Sequence, residues 1–89
     1  MYKKNAKKRN LIFELSKEEF YELTSKPCYY CGDLHNYNGI DRIDSNEGYV
    51  LDNCISCCEY CNKMKLDYSA EFWIQHIKKI IKFCGDRYA

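Results

Sequence analysis

Two Cys-x-x-Cys turns, Cys28-Tyr29-Tyr30-Cys31 and Cys58-Glu59-Tyr60-Cys61, stand on either side of an acidic segment in a chain of 89 residues. Each thiol pair offers a metal two ligands, and two pairs on separate turns can close a tetrahedral zinc site that ties the halves of the chain together. A chain this short buries too little apolar surface to be comfortably stable without such a staple. In small zinc-finger peptides the metal's apparent binding energy is roughly 10–16 kcal/mol at neutral pH, more than a core of this size contributes net. One zinc-stapled domain is expected over residues 11–89, after a basic arm at residues 1–10. The segment Gly39-Ile-Asp-Arg-Ile-Asp44 and the post-turn Asn62 carry oxygens suited to a second, harder metal.

Seven cysteines also raise the possibility of a disulfide scaffold. Their number is odd, the Cys-x-x-Cys spacing is poor for long cross-links, and no apolar run follows the charges of Met1-Tyr-Lys-Lys-Asn-Ala-Lys-Lys-Arg9 to make a secretory signal. A reducing, intracellular and cytoplasmic setting is expected. No stretch approaches the roughly 20 apolar residues of a membrane span, so a soluble protein with no membrane partner is expected. The net charge of +1 alone predicts no polyanion partner, but its distribution is uneven. Lys3, Lys4, Lys7, Lys8 and Arg9 crowd the N-terminus, and Lys78, Lys79 and Lys82 form a second group. Nucleic acid suits such patches; a solubilising tail explains the first equally well.

Leu11-Ile-Phe-Glu-Leu15 is an apolar run too short to assign to strand or helix end. Ser16-Lys-Glu-Glu19 is a capping box with Leu15 and Phe20 at the staple positions, which predicts a helix over 17–24, ended by Pro27. Gly32 permits the tight turn of the first knuckle. Ile40-Asp-Arg-Ile-Asp44 reads as a strand, Ser45-Asn-Glu-Gly48 as a turn, and Tyr49-Val-Leu51 as the second strand of a hairpin. Helix is expected from about Cys58 to Leu66, and again after a Ser69 cap. In that last helix Trp73, Ile77, Ile80, Ile81 and Cys84 form a stripe read as core. His76 on the same helix reads as structural or solvated.

Cys28-Tyr-Tyr-Cys31-Gly32, Gly39-Ile-Asp-Arg-Ile-Asp44, Gly48-Tyr-Val-Leu-Asp-Asn-Cys54 and Cys58-Glu-Tyr-Cys-Asn-Lys-Met-Lys65 together resemble the HNH endonuclease family, of the small phage and viral type. The resemblance implies an α+β fold, a small zinc-stapled ββα-metal (His-Me finger) domain with flanking N- and C-terminal helices. It implies a metal-dependent DNA endonuclease that hydrolyses phosphodiester bonds to leave a 5′-phosphate and a 3′-hydroxyl. Carried over by position, Asp41 and Asn62 hold a catalytic Mg2+ or Mn2+ and Asn53 pins the loop between hairpin and helix. Arg42, Lys63 and Lys65 are candidates to engage the phosphate, and Lys7, Lys8 and Arg9 to bind nucleic acid. The family pattern also selects a zinc register. Cys54-Ile-Ser-Cys57 is a third Cys-x-x-Cys, but with Cys28, Cys31, Cys58 and Cys61 as ligands, Cys61 opens the helix that presents Asn62. Cys54, Cys57 and Cys84 are then small interior hydrophobes.

At Arg42 the chain departs from the family, which places its general-base His there. Arginine stays protonated at any useful pH and cannot take a proton. His35, Asp44 and a metal-bound hydroxide are the alternatives. A monomer with one site nicks one strand; cutting both needs a homodimer, a larger complex or two encounters. Two other functions compete with the enzyme. A catalytically silent zinc module would bind nucleic acid or a host protein, with Tyr29, Tyr30, Tyr37 and Tyr60 stacking on bases or simply packing. A zinc fold could also serve only to present a surface to a larger complex.

Overall fold

The computed structural model describes residues 12–34 and 36–89. The N-terminal cations Lys7, Lys8 and Arg9, the start of the apolar run at Leu11 and the candidate base His35 lie outside the described residues. Helix α1 spans Lys17–Thr24, where the Ser16 hydroxyl accepts from the Glu19 amide and Glu19 accepts from the Ser16 amide, the capping box read from sequence. Strand β1 spans Gly39–Arg42. A short 3-10 turn at Leu51–Asn53 leads into strand β2, Cys54–Cys57. Helix α2, Glu59–Lys65, starts from an N-cap at Cys58, and helix α3, Ala70–Cys84, from an N-cap at Ser69.

The hairpin pairs differently from the sequence reading. β1 runs antiparallel to β2, with Gly39 opposite Cys57, Ile40 opposite Ser56, Asp41 opposite Ile55 and Arg42 opposite Cys54. Tyr49 instead bridges to Phe13, in parallel, with the Glu14 amide donating to the Tyr49 carbonyl and the Tyr49 amide to the Ile12 carbonyl. Gly48 explains why the 49–51 segment goes to the N-terminal segment. A Cβ there would lie 2.5 Å from the Ile12 carbonyl oxygen, so only glycine admits the close approach.

Opposed residues in an antiparallel pair share a face, so Ile40, Arg42, Cys54 and Ser56 lie on one side and Gly39, Asp41, Ile55 and Cys57 on the other. The first side belongs to a core of Leu15, Leu23, Ile40, Tyr49 and Cys54, with Phe13 and Phe20 packed against it. The second faces a cluster of Cys28, Cys57, Cys58, Cys61 and Trp73, with Tyr30, Ile74 and Ile77 against it. The stripe on α3 is core only in its first half. Trp73 is buried, but Ile80 and Ile81 are exposed.

Candidate metal centre and catalytic site

The first knuckle is a turn closed by the Gly32 amide on the Cys28 carbonyl and the Cys28 amide on the Asp33 carbonyl, with Gly32 at φ +81°. The second is the start of α2, where the Cys58 thiol caps the helix by accepting from the Cys61 amide. Together they bring the sulfurs of Cys28, Cys31, Cys58 and Cys61 within 4.8 Å of one another. Cys31 Sγ and Cys58 Sγ are 3.6 Å apart, close to the roughly 3.8 Å that Zn–S bonds of about 2.3 Å give at tetrahedral angles. The cluster fits zinc. Burial raises the Cys28 thiol, but hydrogen bonds from the backbone of Cys31, Cys58 and Tyr30 outweigh it and hold the group at about 6, toward the thiolate a metal binds. Cys57 and Cys54 stand outside the cluster. Burial pushes them up to about 12 and about 11, which keeps them neutral thiols on the two faces of the hairpin.

On the same face of β1 as the thiols lies Asp41, 6% exposed. Asn62 and Lys65, three residues apart on α2, share one helix face. The Asn62 amide nitrogen donates to the Ile40 carbonyl at 3.4 Å, and the Lys65 ammonium lies 3.1 Å from Asp41 Oδ2 and 3.3 Å from Oδ1. Tyr30, in the first knuckle, donates its hydroxyl to Asp41 Oδ2 at 2.9 Å and sets its ring edge-on to Trp73. Burial first, then the carboxylate it bonds, raise the Tyr30 phenol and keep it a donor. Sequence reasoning missed Tyr30 as a partner of Asp41; its place inside a knuckle was the available signal.

Several candidate residues stand elsewhere than expected. Lys65 is 1% exposed and its ammonium is turned to Asp41. Arg42 lies on the opposite side of β1 from Asp41: it donates to the carbonyls of Ser45 and Glu47 at 2.6 and 3.0 Å, with its guanidinium over the Tyr49 ring. It braces the loop after β1. Asp44 lies beyond the end of β1, where its side chain accepts from the Asn46 amide, so it does not share a strand face with Arg42. Asn53 accepts from the Asp44 amide and donates to the carbonyls of Asp44 and Gly48. Lys63 is exposed and pairs with Glu59 at 2.8 Å. With Asn62, Tyr37, Asn38 and Gly39 it lines an open groove of about 440 Å³ beside β1.

A hard divalent ion needs oxygen ligands with room for waters. Asp41 offers two oxygens, but an ammonium faces both and a phenol donates to one. An ion placed there would meet the Lys65 ammonium at contact distance. As the side chains stand, Asp41 and Asn62 do not fit Mg2+ or Mn2+.

The arrangement is similar to that of a known class of nuclease. PacI, a rare-cutting HNH restriction endonuclease, superposes over 97% of this chain and 75% of its own with a TM-score of 0.68 and 26% sequence identity. The fold is thus a small α+β domain, a two-stranded sheet with helices and a four-cysteine cluster, similar to an HNH nuclease fold. An uncharacterised protein of Acanthamoeba polyphaga mimivirus is 50% identical over 74 residues, which cover 79% of this chain. That match takes in only 14% of the mimivirus protein's length. No protein-family model matches the chain. The likeness and the thiol cluster support a nuclease-type hydrolase or a metal-binding module. No helix among the described residues is long and apolar enough to cross a membrane.

Proposed function

We propose that the chain is an endonuclease that hydrolyses DNA phosphodiester bonds, nicking one strand as a monomer, with the phosphate engaged in the groove beside β1 and α2. One observation carries the reading: a two-stranded hairpin packs a buried aspartate against a thiol-anchored helix, in a chain of which 97% superposes on an HNH restriction endonuclease. A zinc ion held by Cys28, Cys31, Cys58 and Cys61 would be structural, since four thiolates leave no open position for substrate. It would fix Tyr30 and α2, and through them Asp41.

The residues of the chain then divide the remaining work. Lys63 and its partner Glu59 both line the groove, so a phosphate there would draw the Lys63 ammonium from the Glu59 carboxylate, and the Asn62 amide lies beside them. Arg42 holds the loop from Ser45 to Glu47, so its charge acts on loop shape and leaves the proton abstraction to another group. Mg2+ or Mn2+ is the cofactor the resemblance implies, but Asp41 is already paired with Lys65.

That ion pair also favours a second reading, a nucleic-acid-binding zinc module without catalysis. Supercoiled plasmid separates the two. Zinc-loaded protein is expected to convert it to the open circle, and Asn62→Ala to lose at least about tenfold of that rate, one decade being about 1.4 kcal/mol of transition-state stabilisation. Binding of plasmid without any nicking, by folded zinc-loaded protein, would leave the silent module standing instead.

A further inference from the structure

Lys65 is buried more deeply than a lysine serving a surface role requires. It is 1% exposed, and its ammonium lies within 3.3 Å of both oxygens of Asp41. The pairs Lys26–Glu22 and Lys63–Glu59 are exposed neighbours four residues apart in the chain; Lys65–Asp41 joins α2 to β1 through the interior. Removing two charges from water is repaid only when the geometry is good and the remaining lone pairs are bonded. Asp41 meets that condition through the Tyr30 hydroxyl. Both partners of Asp41 are fixed by the thiol cluster, Tyr30 between Cys28 and Cys31, and α2 from Cys58 and Cys61.

We propose that Lys65 is the resident cation of the Asp41 site, so that the ammonium and a divalent ion compete for one carboxylate and Asp41 takes Mn2+ or Mg2+ only when Lys65 leaves it. The inference rests on the endonuclease reading for its biological meaning but not for its test. The carboxylate needs no metal to be neutralised in the folded protein. Any metal requirement of this chain therefore includes displacement of an internal counter-ion, and the flexible four-carbon stem of lysine permits it.

The test uses zinc-loaded protein and Mn2+ as a paramagnetic probe, read as broadening of the backbone amide signals of residues 39–42 and 62–65. Lys65→Met keeps the stem's bulk without the charge. It is expected to broaden at Mn2+ concentrations at least about tenfold lower than the wild type, given the strength of charge repulsion at this range in a buried site. The double variant Asp41→Asn with Lys65→Met is expected to lose the gain. Equal or weaker Mn2+ binding by Lys65→Met overturns the proposal. If Lys65→Met does not fold, acylation of wild-type lysines by an activated ester decides, mapped by peptide mass. Lys65 labelling that rises with Mn2+ supports the competition, and Lys65 staying unlabelled throughout the titration overturns it. Neither readout uses cleavage. A protein that never cuts DNA leaves the result intact, while a nuclease whose Mn2+ affinity ignores Lys65 refutes the competition alone.

Discussion

Asn53 uses both ends of its amide on the loop that follows β1, accepting once and donating twice to the backbone of Asp44 and Gly48. Each such bond contributes about 0.5–1.5 kcal/mol net, so Asn53→Ala is expected to cost roughly 2–4 kcal/mol in urea unfolding of the zinc-loaded protein. A loss below about 1 kcal/mol would mean that other contacts hold the loop. Asp41 calls for a different substitution from the usual alanine. Asp41→Ala strands Lys65 as a buried, unpaired charge, and breaking such a pair costs about 3–5 kcal/mol. Loss of cleavage in that variant would report unfolding as readily as chemistry. Measured unfolding energies equal to wild type would show that Lys65 escapes to solvent at no cost. The Asp41–Lys65 pair was hidden in the sequence, because its members lie 24 positions apart and only the hairpin and α2 bring them together. Asp41 and Asn62 could be picked out as a pair of polar groups, but not the ammonium already seated at the carboxylate. The partners of Arg42 were hidden for a related reason: adjacent strand residues face opposite sides, and the loop carbonyls that its Nη1 bonds are a tertiary feature.

Among the elements, those with local signals were legible. Ser16 with Glu19, and Ser69 before Phe72, mark helix starts through bonds made within one turn. Ser16→Ala is expected to destabilise the folded protein by about 1 kcal/mol, seen as a lower urea midpoint with unchanged slope. The second strand was not legible, since its pairing depends on how far the loop after β1 runs before turning back. Gly48 and Tyr49 look like a hairpin return, but their neighbour is the segment around Ile12 and Phe13. The adjacent cysteine pairs at 54–57 and 58–61 are separated by element: the first bounds β2, and the second caps and enters α2. Cys58→Ser should abolish tight zinc binding, while Cys54→Ser should retain one zinc per chain by metal analysis. The opposite pattern would move the metal to the strand.

At the scale of the whole molecule, two small cores lie on either side of a two-stranded sheet, and the thiol cluster belongs to one of them. Chelation of the metal is expected to abolish most of the helical circular dichroism, because the zinc contribution of about 10–16 kcal/mol exceeds what a domain of this size holds in reserve. Helical signal that survives complete zinc removal would mean the cores suffice alone. The molecule measures 44 × 27 × 19 Å, and the exposed second half of α3 shows what periodicity cannot tell. An apolar stripe establishes that a helix is amphipathic but not how far a neighbour covers it. Trp73→Ala is therefore expected to cost about 3–5 kcal/mol, and Ile81→Glu, at a position 63% exposed, less than about 0.5 kcal/mol. The central claim, that this fold cuts DNA at the junction of β1 and α2, is tested most directly on supercoiled plasmid. Zinc-loaded wild type and Asn62→Ala are compared with Mn2+ added and with none. Nicking by the wild type that collapses in the variant is the expected result; equal nicking by both proteins, or none by either while both remain folded and bound to the plasmid, would contradict it.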